Sequence, residues 1–438
     1  MKKKILSTKL RLFLSLFITL YAFGYTSNTN AYTLLQEGQT QKGTETFLKY
    51  KGRVIDKNTR KPLALANIAV NTTNISIVTN KEGKFSLKVP NTAASKTISV
   101  SFLGYKTLEI LLKDLKKKNN IITLSTSITE LSTVNINAPK DAKALVIAAL
   151  KKKGDNYIGE RTIMTAFYRE TIKKGRKNAS LTEAVVKVFK QPNKAARKDV
   201  VELVKSRKNT NYSRLDTLAV KLQGGPYSTL YSDIVKYPQY IFTEDTFPYY
   251  DFSFDTPSQI NNRQVYVVKF KQQANVVTPF YLGKLYIDSE TFSLVSAVYQ
   301  LNVENKDEAV NLFVRKKPRQ VKVEPITAEY RVDYKAKNGK WYYSYSNIQL
   351  VFRVKWRKKL FGSNYSLNIE MAITDWKENL GTKINSEKRI RPTAILSDET
   401  SGFSDPAFWG AYNIIEPEKS IESAIKKIAK QLSKIKPK

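Results

Sequence analysis

Apolar and polar residues alternate with period two along much of this chain. Residues 50–55 alternate around Val54, residues 66–70 repeat the pattern, and residues 85–89 do so again. Ile98, Val100 and Phe102 share one face of a further run, with Ser99 and Ser101 on the other. Turn chemistry separates these runs: Asp56-Lys57-Asn58, Asn80-Lys81-Glu82-Gly83, then Gly104. Strands at about ten-residue spacing with such punctuation predict an all-β sandwich.

At residues 141–150 the period becomes helical, with Ala142, Leu145 and Ala149 on one stripe, Asp141 at the start and Gly154 as a stop. Strands then resume. Residues 264–270 form one, and residues 283–287 and 294–301 form a hairpin across Asp288-Ser289-Glu290-Thr291. Residues 328–335 and 341–354 pair across Asn338-Gly339, the strongest short hairpin signal, and residues 365–374 follow. Consecutive strands joined by tight turns predict an antiparallel meander, with a half-barrel as one form it can take. The chain closes on a helix. Pro417 lies between two acids, Ile421, Ile425, Ile428, Leu432 and Ile435 form an apolar stripe, and six lysines crowd residues 426–438. The expected class is mainly β: an N-terminal β-sandwich, a larger antiparallel meander, and a few helices including a C-terminal amphipathic one.

The sandwich carries a resemblance. Gly52-Arg53-Val54-Ile55-Asp56, Lys61-Pro62-Leu63, Ala66-Asn67-Ile68-Ala69-Val70, residues 79–87 (TNKEGKFSL) and Val100-Ser101-Phe102-Leu103-Gly104-Tyr105 occur in order. This segment resembles the carboxypeptidase regulatory-like domain, a transthyretin-like β-sandwich found at the N-termini of exported Bacteroidetes proteins. It departs from that pattern at Asn71-Thr72-Thr73-Asn74, where the family often has a Gly-containing turn. The resemblance implies an adaptor, not a peptidase. Residues 281–301 look like strand pairs of periplasmic lipoprotein-carrier half-barrels. The stretch from Ala166-Phe167-Tyr168-Arg169-Glu170 through residues 222–226 to residues 370–375 is similar to the C-terminal part of exported Bacteroidetes proteins with this domain. The expected organisation is a signal peptide at 1–31 and a short polar leader at 32–47. A sandwich follows at 48–138, a connecting helix at 139–160, an antiparallel β domain at 161–415 and a basic helix at 416–438.

Composition removes whole classes of chemistry. The 438 residues contain no histidine and no cysteine. Ser–His–Asp triads, Cys–His pairs and zinc sites of the Cys/His type are therefore excluded, and with them a zinc carboxypeptidase. No disulfide can form, and no cofactor is expected. Lys and Arg number 74 against 38 acids, a formal charge of +36. Such a field favours anionic partners.

The N-terminus says where those partners would be met. Lys2, Lys3, Lys4, Lys9 and Arg11 precede an apolar run at 12–23, and Thr29-Asn30-Ala31 offers a cleavage site. This is the pattern of a secretory signal peptide, too short to span a bilayer, and no lipoprotein cysteine follows it. Its removal takes five bases and no acid from the chain, which lowers +36 to +31. The expected location is the periplasm, outer membrane or cell surface, where nucleic acid is not a partner.

Two constellations are candidate sites. Arg353, Lys355, Arg357, Lys358 and Lys359 surround Trp356 and are candidate contacts to an anionic membrane or lipopolysaccharide surface. Trp341, Tyr343 and Tyr345 alternate on one strand and are a candidate ligand wall. Asp251 and Asp255 permit a carboxylate pair but do not specify one. Arg315-Lys316-Lys317-Pro318-Arg319 is a second basic cluster, and Gly224-Gly225-Pro226 reads as a structural turn. The expected function is non-enzymatic: a sandwich adaptor plus a β domain binding an amphipathic ligand or an envelope protein. The alternatives are a carboxylate-based hydrolase acting on envelope glycans and a component associated with an outer-membrane transporter. Oligomeric state is not legible in the sequence.

Overall fold

The computed structural model describes residues 18–22, 47–127, 140–210, 218–398, 400 and 408–419. The cleavage site at 29–31 lies outside them, as does the C-terminal helix expected at 416–438 apart from its first four residues. The chain is mainly β, as the alternation predicts.

The first unit is a two-sheet sandwich. One sheet has β2 (Phe47–Asp56) between β5 (Lys84–Pro90) and β8 (Asn120–Leu124). The other runs in the order β4 (Ser76–Val78), β3 (Asn67–Val70), β6 (Thr97–Ser101), β7 (Leu108–Leu111). The inward faces supply Val54, Ile68, Val70, Phe85, Leu87, Ile98 and Val100, all buried in one cluster. Gly83 closes the turn before β5 at φ +71°, and an added Cβ there would meet the Val54 carbonyl oxygen at 2.5 Å, so the glycine is required. The departing loop at Asn71–Asn74 builds its turn without glycine. Thr72 takes a left-handed φ of 64°, and the Thr73 hydroxyl donates to the Val70 carbonyl.

Helix α1 (Ala142–Lys151) is capped as its sequence suggests, with the Asp141 carboxylate accepting from the Lys143 backbone N–H. The second unit is a ten-stranded, wholly antiparallel sheet. It opens with β9 (Thr162–Lys174), β10 (Lys177–Lys190) and β11 (Val200–Thr210). After β12 (Leu218–Leu222) and helix α2 (Pro226–Leu230) come β13 (Tyr250–Ile260), β14 (Arg263–Gln272), β15 (Tyr281–Asp288) and β16 (Leu294–Leu301). Helix α3 (Lys306–Phe313) and the short β17 (Val314–Lys316) lead to β18 (Val321–Lys337), β19 (Lys340–Trp356) and β20 (Ser363–Glu378). The spatial order is β11-β10-β9-β20-β19-β18-β16-β15-β14-β13. Strand β20 therefore returns to pair with β9, with Tyr168 opposite Met371. The sheet stays open, because β11 and β13 do not meet. Asn338 and Gly339 take φ of 49° and 75° in the β18–β19 turn, the two left-handed positions a tight hairpin needs.

Residues 18–22, expected to belong to a signal peptide, form β1 (Ile18–Ala22) in the full chain. They pair antiparallel with β12 and parallel with β17. Among the described residues no helix is long and apolar enough to cross a membrane.

Both faces of the large sheet are covered in its middle. One face packs against α1, α2, α3 and the segment between α2 and β13 in the main core. The other carries Phe167, Val185, Tyr345 and Ala372, which pack against Val78 of the sandwich and Trp409 and Ile415 of the C-terminal segment. Hydrogen bonds fasten that contact. Asn74 donates to the Trp376 carbonyl at 2.7 Å, Lys335 to the Ser76 hydroxyl at 2.9 Å, and Lys88 to the Gly410 and Tyr412 carbonyls. The sandwich is joined to the sheet by a buried, polar-stitched interface.

Candidate functional site

The aromatic stripe does not form a wall. Strand β19 bulges at Ser344: Tyr345 pairs with Asp333 while Tyr343 pairs with the next residue, Tyr334. The Ser344 hydroxyl donates to the Asp333 carbonyl and satisfies the locally disrupted ladder. One extra residue reverses the alternation, so Trp341 and Tyr343 point into the main core and Tyr345 into the opposite one. All three are buried. The Tyr343 hydroxyl lies 2.6 Å from that of Ser346, and the Tyr345 hydroxyl donates to Glu370 at 3.3 Å. The expectation that these residues share one face is corrected by that bulge.

Two buried charge networks, absent from the sequence reading, lie on opposite faces of the large sheet. The Arg169 guanidinium donates to Glu183 at 2.8 Å, Glu370 at 3.1 Å and the Ile415 carbonyl at 2.7 Å. Arg207 donates to the other Glu183 oxygen at 2.7 Å. Burial pushes the Glu183 carboxyl up, and the two guanidiniums more than reverse this and hold it below the usual range. On the opposite face Lys190 sits between Asp199 at 2.9 Å and Asp233 at 2.7 Å. The Tyr237 and Tyr334 hydroxyls donate to the same two aspartates. The detectable signal was a charge inside an apolar strand, as in residues 181–190 (LTEAVVKVFK). These networks are enclosed and ion-paired, which suits a structural role.

Glu170 is different. It is buried and receives a hydrogen bond from the Tyr168 hydroxyl at 3.1 Å. Burial pushes its carboxyl up to about 7, against the opposing effect of that hydrogen bond. The folded state therefore holds this proton more tightly than the unfolded chain. Stability is lost as pH rises from about 4.5 to about 7, by about 3 kcal/mol in all. Glu170→Gln is expected to flatten that part of the stability–pH curve. Urea denaturation across this pH range checks it, and an unchanged slope would contradict the assignment.

Asp255 does not have the freedom of a general acid. It is ion-paired to Lys269 at 3.0 Å and Lys284 at 2.8 Å, whose hydrogen bonds hold it well below the usual carboxylate range. Gly224 and Gly225 take left-handed φ of 105° and 48° and lead into Pro226 at the first turn of α2. The side chains of Arg353, Lys355, Arg357, Lys358 and Lys359 are exposed, the first two on β19 and the rest in the turn before β20.

A cleft of about 490 Å³ opens where β14, β15, β16 and β18 meet two loops, residues 273–276 and 302–304. Val276, Leu282, Val303 and Ile326 give it apolar surface, and Gln272, Gln300 and Asn302 give it amides. Ile326 is held outward because β18 bulges there: Pro325 pairs with Phe352 and Thr327 with Val351, leaving Ile326 unpaired.

Residues 50–136 match the family model of the CarboxypepD_reg-like domain. No curated protein matches the chain. Among solved structures, one described as an outer membrane lipoprotein-sorting protein domain from Vibrio parahaemolyticus is 13% identical, with 56% of this chain and 95% of that chain covered, at a TM-score of 0.23. A DUF1329 family protein from Desulfovibrio piger is 9% identical over 55% of this chain and 93% of its own, at 0.21. Lipovitellin, in a structure concerned with lipid–protein interactions, is 8% identical over 63% of this chain and 31% of its own, at 0.27. Likenesses at this level do not establish a shared fold.

Proposed function

We propose that this protein is a non-enzymatic component of the cell envelope. Its β domain binds an amphipathic molecule in the cleft beside Ile326, and its regulatory-like sandwich is a rigidly attached adaptor. The observation that carries this reading is the cleft itself. Its volume of about 490 Å³ lies within the range of small-molecule sites, about 300–1,000 Å³. Apolar side chains from four strands and loops, rimmed by amides, suit an apolar chain with a polar head. The interior of the sheet does not compete as a site, because α1, α2 and the following segment fill it. Export rests on the basic n-region and apolar run at the N-terminus. A hydrolytic reading finds less support, since Asp255 is committed to two lysines.

An environment-sensitive fatty-acid probe tests the reading. Wild-type protein is expected to bind it and brighten it. Ile326→Trp, which fills the cleft, and Leu282→Gln, which makes its floor polar, are each expected to weaken binding about tenfold. Equal probe binding by wild type and both variants would overturn the cleft as the site.

A further inference from the structure

The turn between β19 and β20 carries Leu360 and Phe361 with 79% and 80% of their surface exposed. Large apolar side chains this open, side by side at a hairpin tip, are costly to keep in water and mark a contact. Their surroundings are basic. Arg357, Lys358 and Lys359 lead into the pair, and Arg353 and Lys355 stand on the exposed face of β19 beneath it. The Arg357 backbone N–H donates to the Gln320 carbonyl at 2.8 Å, which brings the loop bearing exposed Lys317 and Arg319 alongside. On the other side the β9–β10 turn is tied in, since the Gly175 N–H donates to the Asn364 carbonyl at 2.8 Å. That turn adds exposed Arg176 and Lys177. The acid paired across from Arg353 is Glu324, itself bonded to Lys322 at 2.7 Å.

We infer that this end of the sheet docks on an anionic lipid bilayer, with Leu360 and Phe361 entering the interface and the surrounding bases meeting lipid phosphates. Convexity favours a bilayer over a protein groove as the occupant. The apolar pair projects from a turn, with bases on three sides of it, as an interfacial anchor requires. The charge alone would give a loose, salt-sensitive contact, and the apolar pair adds a part that salt does not screen. Docking also orients the molecule. The cleft at Ile326 lies toward this same end of β18, about five strand residues or roughly 17 Å from Val321, where the strand pair ends and the tip begins. The docking stands independently of whether the cleft takes a ligand.

The test is vesicle co-sedimentation of the exported protein. Wild type is expected to bind mixed phosphatidylglycerol–phosphatidylcholine vesicles and not pure phosphatidylcholine ones. Leu360→Asn/Phe361→Asn is expected to weaken binding about tenfold and leave what remains fully salt-sensitive. Arg357→Glu/Lys358→Glu is expected to abolish it. Leu380→Asn replaces an apolar residue 87% exposed beyond the far end of β20, and is expected to bind as wild type. All of these sites are exposed, so folding, followed by circular dichroism, is expected to survive. No binding of wild type to anionic vesicles, equal binding by the tip variant, or loss in Leu380→Asn would each overturn the inference.

Discussion

Replacing Glu183 with leucine is expected to destabilise the protein by about 3–5 kcal/mol. Glu183 is fully buried and answers two guanidiniums, Arg169 at 2.8 Å and Arg207 at 2.7 Å. Removing it leaves both arginines in the low-dielectric layer without the carboxylate that neutralises them. Arg169 keeps Glu370 and the Ile415 carbonyl but loses the carboxylate that fixes its Nε, so the C-terminal segment that it holds should loosen with the substitution. The exposed pair of Lys194 and Asp155, at 3.1 Å, is the proper contrast. Lys194→Ala should change stability by less than about 1 kcal/mol. Urea midpoints for the two variants check the difference, and equal midpoints would contradict the network's role.

The second large effect is at Trp341. Trp341→Ala is expected to cost about 3–5 kcal/mol, because it opens a cavity in a core that cannot fully collapse. Trp341 is 2% exposed and packs in the main core beneath the sheet. Its backbone N–H also receives the chain arriving from α1, donating to the Asn156 carbonyl at 2.8 Å. A ligand-wall role predicts the reverse pattern: near-wild-type stability with weakened probe binding. Thermal unfolding and probe titration on the same variant separate the two. A stable variant that fails to bind would restore the wall.

The alternation of apolar residues made the sandwich and the later hairpins legible. Asn338-Gly339 predicted its turn because only certain residues take two successive left-handed conformations cheaply. Strands β9 and β10 were harder, since they are buried on both faces along much of their length and lose the period-two signal. The bulges at Ser344 and Ile326 were invisible for a different reason. A single extra residue changes which face a side chain takes, yet leaves no mark in composition. Ser344 thereby split the stripe Trp341, Tyr343, Tyr345, and Ile326 turned a core-looking residue toward the cleft. The basic run at 353–359 was legible as charge. What the sequence could not supply was its neighbourhood: the 317–320 loop and the β9–β10 turn are brought beside it by pairings 150 or more residues apart in one case and by a loop contact in the other.

An amphipathic molecule held by the β domain beside Ile326, as proposed, should stay with the protein through gentle purification. Native mass spectrometry of the protein, purified without exhaustive detergent, is the decisive test. A bound species carrying an acyl chain is expected, present on wild type and lost from Ile326→Trp. Only the mass of the unliganded chain, together with no uptake of added fatty acid, would contradict it.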